Sequence, residues 1–345
     1  MKTAAVLTLV LAAACGGSDE PACDPSGPMC KTLSSYRLFD DIATQTPAEG
    51  VVPYALNTPL FSDYTTKDRF VSLPPGESLA WRDDPDSFVA PTGTIVIKTF
   101  SYLADRRMPT GDRRLLETRL LIKQDTGWTG ASYVYDEGKP SDAILAIAGA
   151  PLSASWIHDD GAARTNAYVV PNKNQCKECH NEHDDKLDLL GPKARHLNTG
   201  TQLQQLVDLG VVTGAPAAAT WPKAVAAYDP GSGTVEQRAR AWLDINCAFC
   251  HNDRGAARTS GLFLGYQETD ALSLGICKPP VAAGRGSGGR AFGIVPGQPD
   301  ASIMMFRIES TEPDIRMPEL GRNLVDAEGA SLVRAWIAQL PGSCP

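Results

Sequence analysis

Two five-residue segments constrain this chain more than any other feature of its 345 residues. They are Cys176-Lys177-Glu178-Cys179-His180 and Cys247-Ala248-Phe249-Cys250-His251. With nine cysteines and five histidines in the chain, composition predicts on the order of a few thousandths of one Cys-x-x-Cys-His match. The spacing is that of covalent haem attachment. Two thiols must reach the two vinyl groups on one porphyrin edge, and the next residue must turn under the ring to offer its imidazole to the iron. Two Cys-x-x-Cys pairs also have the ligand count of a four-sulfur zinc cage, and a single pair resembles a thioredoxin-type redox centre. A histidine directly after both pairs favours haem. The expectation is two covalently attached haem c groups, bound through Cys176, Cys179 and His180 and through Cys247, Cys250 and His251.

The N-terminus bears on compartment. Lys2 precedes the short apolar run Val6 to Ala14, which is too short to span a bilayer, so residues 1–14 read as an export signal. Ala12-Ala13-Ala14 stands directly before Cys15, the pattern of a bacterial lipoprotein signal, with Leu11 one residue further from the cysteine than usual. A plain cleaved signal peptide is the alternative. Gly16 after Cys15 favours the outer membrane. The expected location is therefore the periplasm, with Cys15 lipidated and the membrane reached through that anchor. Residues 15–35, rich in Gly, Ser, Pro and Asp, read as a tether. A net charge of −8 argues against a nucleic-acid partner held by phosphate contacts.

Residues 36–170 read as strands separated by turns. Thr94 to Phe100 is β-branched and aromatic, and Pro91-Thr92-Gly93, Asp125-Thr126-Gly127 and Asp159-Asp160-Gly161 are turn signals. Strands at this spacing without intervening helices predict an antiparallel β-sandwich-like domain. It holds no catalytic constellation. Asp63, Asp68, Asp83, Asp84 and Asp86 read as turn formers, and Trp81, Trp128, Tyr133 and Tyr135 as core rather than a sugar-stacking platform.

After this domain the sequence predicts mainly α haem modules, the first over residues 171–230 and the second over 231–345. Thr234-Val235-Glu236-Gln237 fits a capping box, and the helix it opens runs into Cys247. Asp326 caps a second helix, whose apolar face is Leu332, Val333, Trp336, Ile337 and Leu340. Arg316-Met317-Pro318 lies in the loop before it, and Met317 is the expected distal ligand of the second haem, with Met304 and Met305 as rivals.

Helix, haem motif, long loop, Met-Pro and terminal amphipathic helix together resemble a class I cytochrome c. Most of the mature chain resembles a largely uncharacterised family of bacterial exported dihaem c-type cytochromes. The resemblance is carried by Asn57-Thr58-Pro59-Leu60-Phe61-Ser62-Asp63-Tyr64, Glu117-Thr118-Arg119-Leu120-Leu121-Ile122, Gly191-Pro192-Lys193-Ala194-Arg195 and Gly275-Ile276-Cys277-Lys278-Pro279-Pro280. It implies an electron carrier and names no substrate.

The first haem is less specified. No methionine lies between His180 and Cys247. His196 is the leading distal candidate, with His183, His158, Met108 and a water-bound site as alternatives. The run Ala283 to Arg290 lacks the context of a phosphate cradle, so it reads either as a flexible loop or as a haem-edge loop with Arg285 or Arg290 on a propionate.

Three functions are compatible with these residues. The first is electron transfer to or from a redox partner such as a dehydrogenase, a small cytochrome or a cupredoxin. The second is a peroxidase-like enzyme using a five-coordinate first haem. In the third, the β domain docks a dehydrogenase or a glycan and the haems form the electron outlet. The odd cysteine count resolves if Cys15 carries lipid and four cysteines carry haem, leaving Cys23 with Cys30 and Cys277 with Cys344 as disulfides by proximity.

Overall fold

The computed structural model describes residues 22–82, 87–137, 139–182 and 186–345. Cys15, the export signal, His183, Asp83, Asp84 and Asp86 lie outside the described residues.

A six-stranded antiparallel sheet forms the centre of the first half. Its strands are β1 (Val51–Pro53), β2 (Thr66–Ser72), β3 (Ile95–Leu103), β4 (Arg113–Gln124), β5 (Gly127–Asp136) and β6 (Lys139–Leu145), each hydrogen-bonded to the next in chain order. Alternation sorts their side chains between two faces. Phe70, Ile97, Leu120 and Ala131 face a core completed by Leu33, Tyr36 and Leu38. Val71 and Val96 face the other way, onto Ala194, Leu197, Leu203 and Leu206 from the chain after the first motif. A separate hairpin, β7 (Ala150–Ile157) with β8 (Ala163–Val170), closes one end of the sheet, with Trp156 stacked on Tyr102.

Six α-helices follow among the described residues: α1 (Cys176–Cys179), α2 (Ala194–Leu197), α3 (Gln202–Asp208), α4 (Val235–Asn246), α5 (Ile303–Ile308) and α6 (Ala327–Gln339). Thr234 and Gln237 form the capping box of α4, and Asp326 caps α6 by accepting from the Gly329 N–H. α4 and α6 bury Trp242, Leu243, Val333, Trp336 and Ile337 in one cluster with Ile294 and Met305 of the intervening chain. Disulfides join Cys23 to Cys30 and Cys277 to Cys344.

This architecture corrects the expected fold class. Strand outweighs helix, 27% against 20%, and mainly α haem modules do not form. Among the described residues of 171–230 no helix exceeds seven residues, and Val212–Thr213 pairs in parallel with Leu79–Ala80 of the β-rich half. The physical reason is core size. Helices this short cannot bury a core of their own, so their apolar residues complete one begun by the sheet. In the last third, the Gly- and Pro-rich chain between Gly275 and Pro299 has no helical propensity and stays in loops and single 3₁₀ turns. The sandwich is corrected too: among the described residues, one six-stranded sheet accompanied by small two- and three-stranded sheets replaces two stacked sheets.

Candidate functional site

Each Cys-x-x-Cys-His motif borders its own cavity. The first, of about 480 Å³, is lined by Cys176, Cys179 and His180, by the outer face of the central sheet and by the Gly191-Pro192-Lys193 segment. The second, of about 640 Å³, is lined by Cys247, Cys250 and His251, by α5 and by the Met317-Pro318 loop. Both volumes are in the range of ligand and cofactor sites. Cys179, Phe249, Pro318 and Leu320 line both cavities, so the two abut.

The cysteines are unbonded thiols. They do not converge into a metal cage. Among the described residues, the one His/Cys/Asp/Glu group whose ligand atoms all lie within 4.8 Å of one another is His158, Asp159 and Glu328, remote from both motifs in sequence. The motifs instead meet where Cys250 Sγ donates to the Glu178 carbonyl at 3.8 Å. Burial pushes the Cys247 thiol up to about 12 and raises Cys176.

Both motif histidines are set up as neutral donors of a lone pair. His180 Nδ1 lies 2.9 Å from the Asp188 carbonyl and must donate to it, which leaves Nε2 unprotonated. Burial, reinforced by Lys98 and Arg119, pushes His180 down to about 4. Burial and Arg307 do the same to His251, also to about 4. Its Nδ1 faces Ser260 Oγ at 3.4 Å.

Met317 lines the same cavity as His251, and so does Met304, whereas Met305 points into the core. The loop carrying Met317 is held by Arg322. That guanidinium donates to the Met317 carbonyl from Nη2 at 2.8 Å and from Nε at 3.1 Å, and to the Ile308 and Leu324 carbonyls.

His196 lines the first cavity with His180. Its Nε2 donates to Asp244 Oδ2 at 2.7 Å, and Arg195 clasps the same carboxylate, so only Nδ1 is left to offer a lone pair. Burial penalises the Asp244 charge, but the hydrogen bonds and charges of His196 and Arg195 hold its pKa well below the usual carboxylate range. His158 and Met108 line neither cavity; His158 packs on Tyr64 and Met108 is exposed.

Arg285 pairs with Glu312 and Asp314, and Arg290 donates to the Asp300 carbonyl and stacks on Phe306, so neither faces the second cavity. Tyr133 and Tyr135 are buried, which removes the aromatic platform.

Sequence reasoning missed three features. Asn57 to Tyr64 is a clasp onto the second half of the chain: Thr58 bonds to Val225 and Ala227, Phe61 N–H to Asn246, and Asp63 accepts the Asn323 and Leu324 N–H groups. Asp244 and Arg322, ordinary-looking in sequence, are buried organisers. Lys98 and Arg119 line the first cavity from the sheet; burial and the neighbouring Arg69 and Arg119 push Lys98 down to about 7. The available signal was a lysine inside the apolar run Ile95 to Phe100.

Neither a protein-family model, nor a curated protein, nor a solved structure matches this chain.

Proposed function

We propose that the chain is a dihaem c-type electron-transfer protein. The observation that carries this reading is that each Cys-x-x-Cys-His motif borders a cavity of cofactor size, that the two cavities abut, and that the motifs meet at Glu178 and Cys250. Cys176, Cys179, Cys247 and Cys250 supply the thioether bonds, and His180 and His251 the proximal nitrogens. When bound, haem supplies a one-electron couple. The protein's own work is positional. The Asp188 carbonyl fixes the His180 tautomer, Arg322 holds the Met317 loop against the second cavity, and the apolar cluster around that cavity excludes water. Because the two cavities abut, an electron held at one site has a neighbour at the other.

The remaining parts of the proposal follow from sequence. Lipidation at Cys15 tethers the protein at the periplasmic side of the outer membrane. The partner is a more basic redox protein: a dehydrogenase, a small cytochrome or a cupredoxin. The acidic balance steers a weak, salt-sensitive encounter with it.

The test is spectroscopy on protein exported with haem maturation intact. Two haems per chain by haemochrome assay, both low-spin and with a ferric form inert to peroxide, are expected. Fewer than two haems defeats the reading. A high-spin haem that reacts with peroxide replaces electron transfer with peroxidase-like chemistry.

A further inference from the structure

Three cations stand side by side on the sheet face that lines the first cavity. Arg69 of β2 is directly opposite Lys98 of β3, and Lys98 is directly opposite Arg119 of β4. Directly opposed side chains on a sheet are ~5 Å apart, and like charges there repel. Lys98 and Arg119 are half-buried, and Arg69 lies deeper. Arg69 is only 7% exposed, and its Nη2 is buried with no hydrogen-bond partner.

The nearby carboxylates do not balance the row. Glu117 takes Arg119, and Asp68 takes Arg113. Asp63 accepts from Asn166 and from two backbone N–H groups. Lys98 Nζ lies 4.9 Å from the Phe100 ring centroid, and no carboxylate bridges it among the described residues. A buried cation without a counter-charge is costly, so the row calls for an anion inside the cavity.

Position supplies the anion's identity. Cys176 sits over β5: a Cβ placed at Gly130 would be in van der Waals contact with Cys176 Sγ, at 3.7 Å. β5 and β2 are three strand spacings apart, roughly 14 Å. A porphyrin fixed at Cys176 by its thioether edge spans that distance toward the cations with its opposite edge, which bears two carboxylates. We infer that Arg69 and Lys98, flanked by Arg119, seat the propionate carboxylates of the haem attached at Cys176 and Cys179. This inference rests on the proposed haem attachment. A cationic seat favours the reduced form of the iron, which carries less positive charge.

The experiment compares wild-type holoprotein with Arg69→Gln and Lys98→Gln, and with the charge-keeping Arg69→Lys and Lys98→Arg. Resonance Raman spectra report the propionate bending band, redox titration resolves the two midpoint potentials, and haemochrome assay counts haem. Each Gln variant should shift the band and lower one midpoint potential while leaving the other in place, and the charge-keeping variants should restore both. Removing a cation from a repelling row should not unfold the chain, and equal haem content in all variants checks this. Two haems with an unmoved band and unmoved potentials overturn the seat alone. Fewer than two haems in the wild type overturns the attachment reading and the seat together. A spectral response to added inorganic phosphate that Lys98→Gln abolishes, with the Raman band unmoved, assigns the row to a diffusible anion and also overturns the seat.

Discussion

Asp244 of α4 accepts a hydrogen bond from His196 of α2 at 2.7 Å, so the helix that leads into the second motif also holds a wall of the first cavity. The carboxylate is fully buried, and Arg195 and His196 are nearly so. Breaking such a pair by neutralising one partner leaves a buried charge uncompensated. Asp244→Asn is therefore expected to destabilise the protein by about 3 to 5 kcal/mol. Denaturant unfolding checks it. A loss within experimental error of zero would mean that the cluster is solvated in solution.

Asp326 gives a pH dependence with a definite sign. Burial raises its carboxyl above the ordinary value, although Tyr228, Trp242 and the Gly329 N–H all donate to it. A raised folded pKa means that the native state keeps a proton the unfolded chain has released. The stability contributed is complete below the unfolded value of about 4 and is lost as pH rises through the folded value. Relative to Asp326→Asn, which has no proton to lose, the wild type should lose unfolding free energy as pH rises above about 4. A pH series of guanidinium unfolding curves for both proteins measures the difference.

Gly329 of α6 lies directly against Trp242 of α4. A Cβ at this position would collide with the Trp242 indole and with the Asp326 carboxylate. The indole is fixed by its hydrogen bond to Asp326 and by the core around it. Gly329→Ala should cost about 1 to 3 kcal/mol despite the better helix propensity of alanine. A more stable variant in thermal melts would show that the helices separate freely.

What was legible in sequence was what depends on neighbouring residues. The capping box at Thr234 and Gln237, the Asp326 cap and the β-branched run around Val96 are local statements, and each is present as such. The module boundary at residue 171 was not legible. Whether Leu203 and Leu206 pack on a helical partner or on Val71 and Val96 depends on contacts more than a hundred residues away. The motif cysteines and histidines were legible because their chemistry fixes their spacing. The groups around them were not: Arg69, Lys98 and Arg119 meet only through strand register, and Arg322 serves the Met317 loop only through its folded path.

The Cys277–Cys344 disulfide closes a separation of 67 residues and ties the long loop of the second cavity to the chain beyond α6. Loop-closure entropy assigns such a cross-link roughly 4 kcal/mol. Cys277→Ser with Cys344→Ser should lower stability by about that amount in denaturant titrations. The Cys23–Cys30 bond spans seven residues and should matter less, at roughly 2 kcal/mol by the same relation. The reverse ranking would mean that the two loops differ in residual unfolded structure rather than in length.

Met317 and Met304 both line the second cavity, and the way each is held separates them. Met304 belongs to α5 and packs in the cluster formed with α4 and α6, so its thioether is part of a core. Met317 sits in a loop whose carbonyl is held twice by Arg322 and whose N–H donates to the Arg307 carbonyl at 3.0 Å. A loop pinned through its backbone leaves the side chain free to serve a ligand. Met317→Ala should therefore remove the sulfur-to-iron charge-transfer band of one ferric haem and lower that haem's potential, since a thioether ligand favours the reduced iron. Met304→Leu should leave the band in place at a stability cost below about 1.5 kcal/mol. Arg322→Gln should weaken the band without abolishing it, because the loop loses its anchor but keeps its sulfur. If Met304→Leu removes the band and Met317→Ala does not, the ligand is the core methionine and the pinned loop has another task.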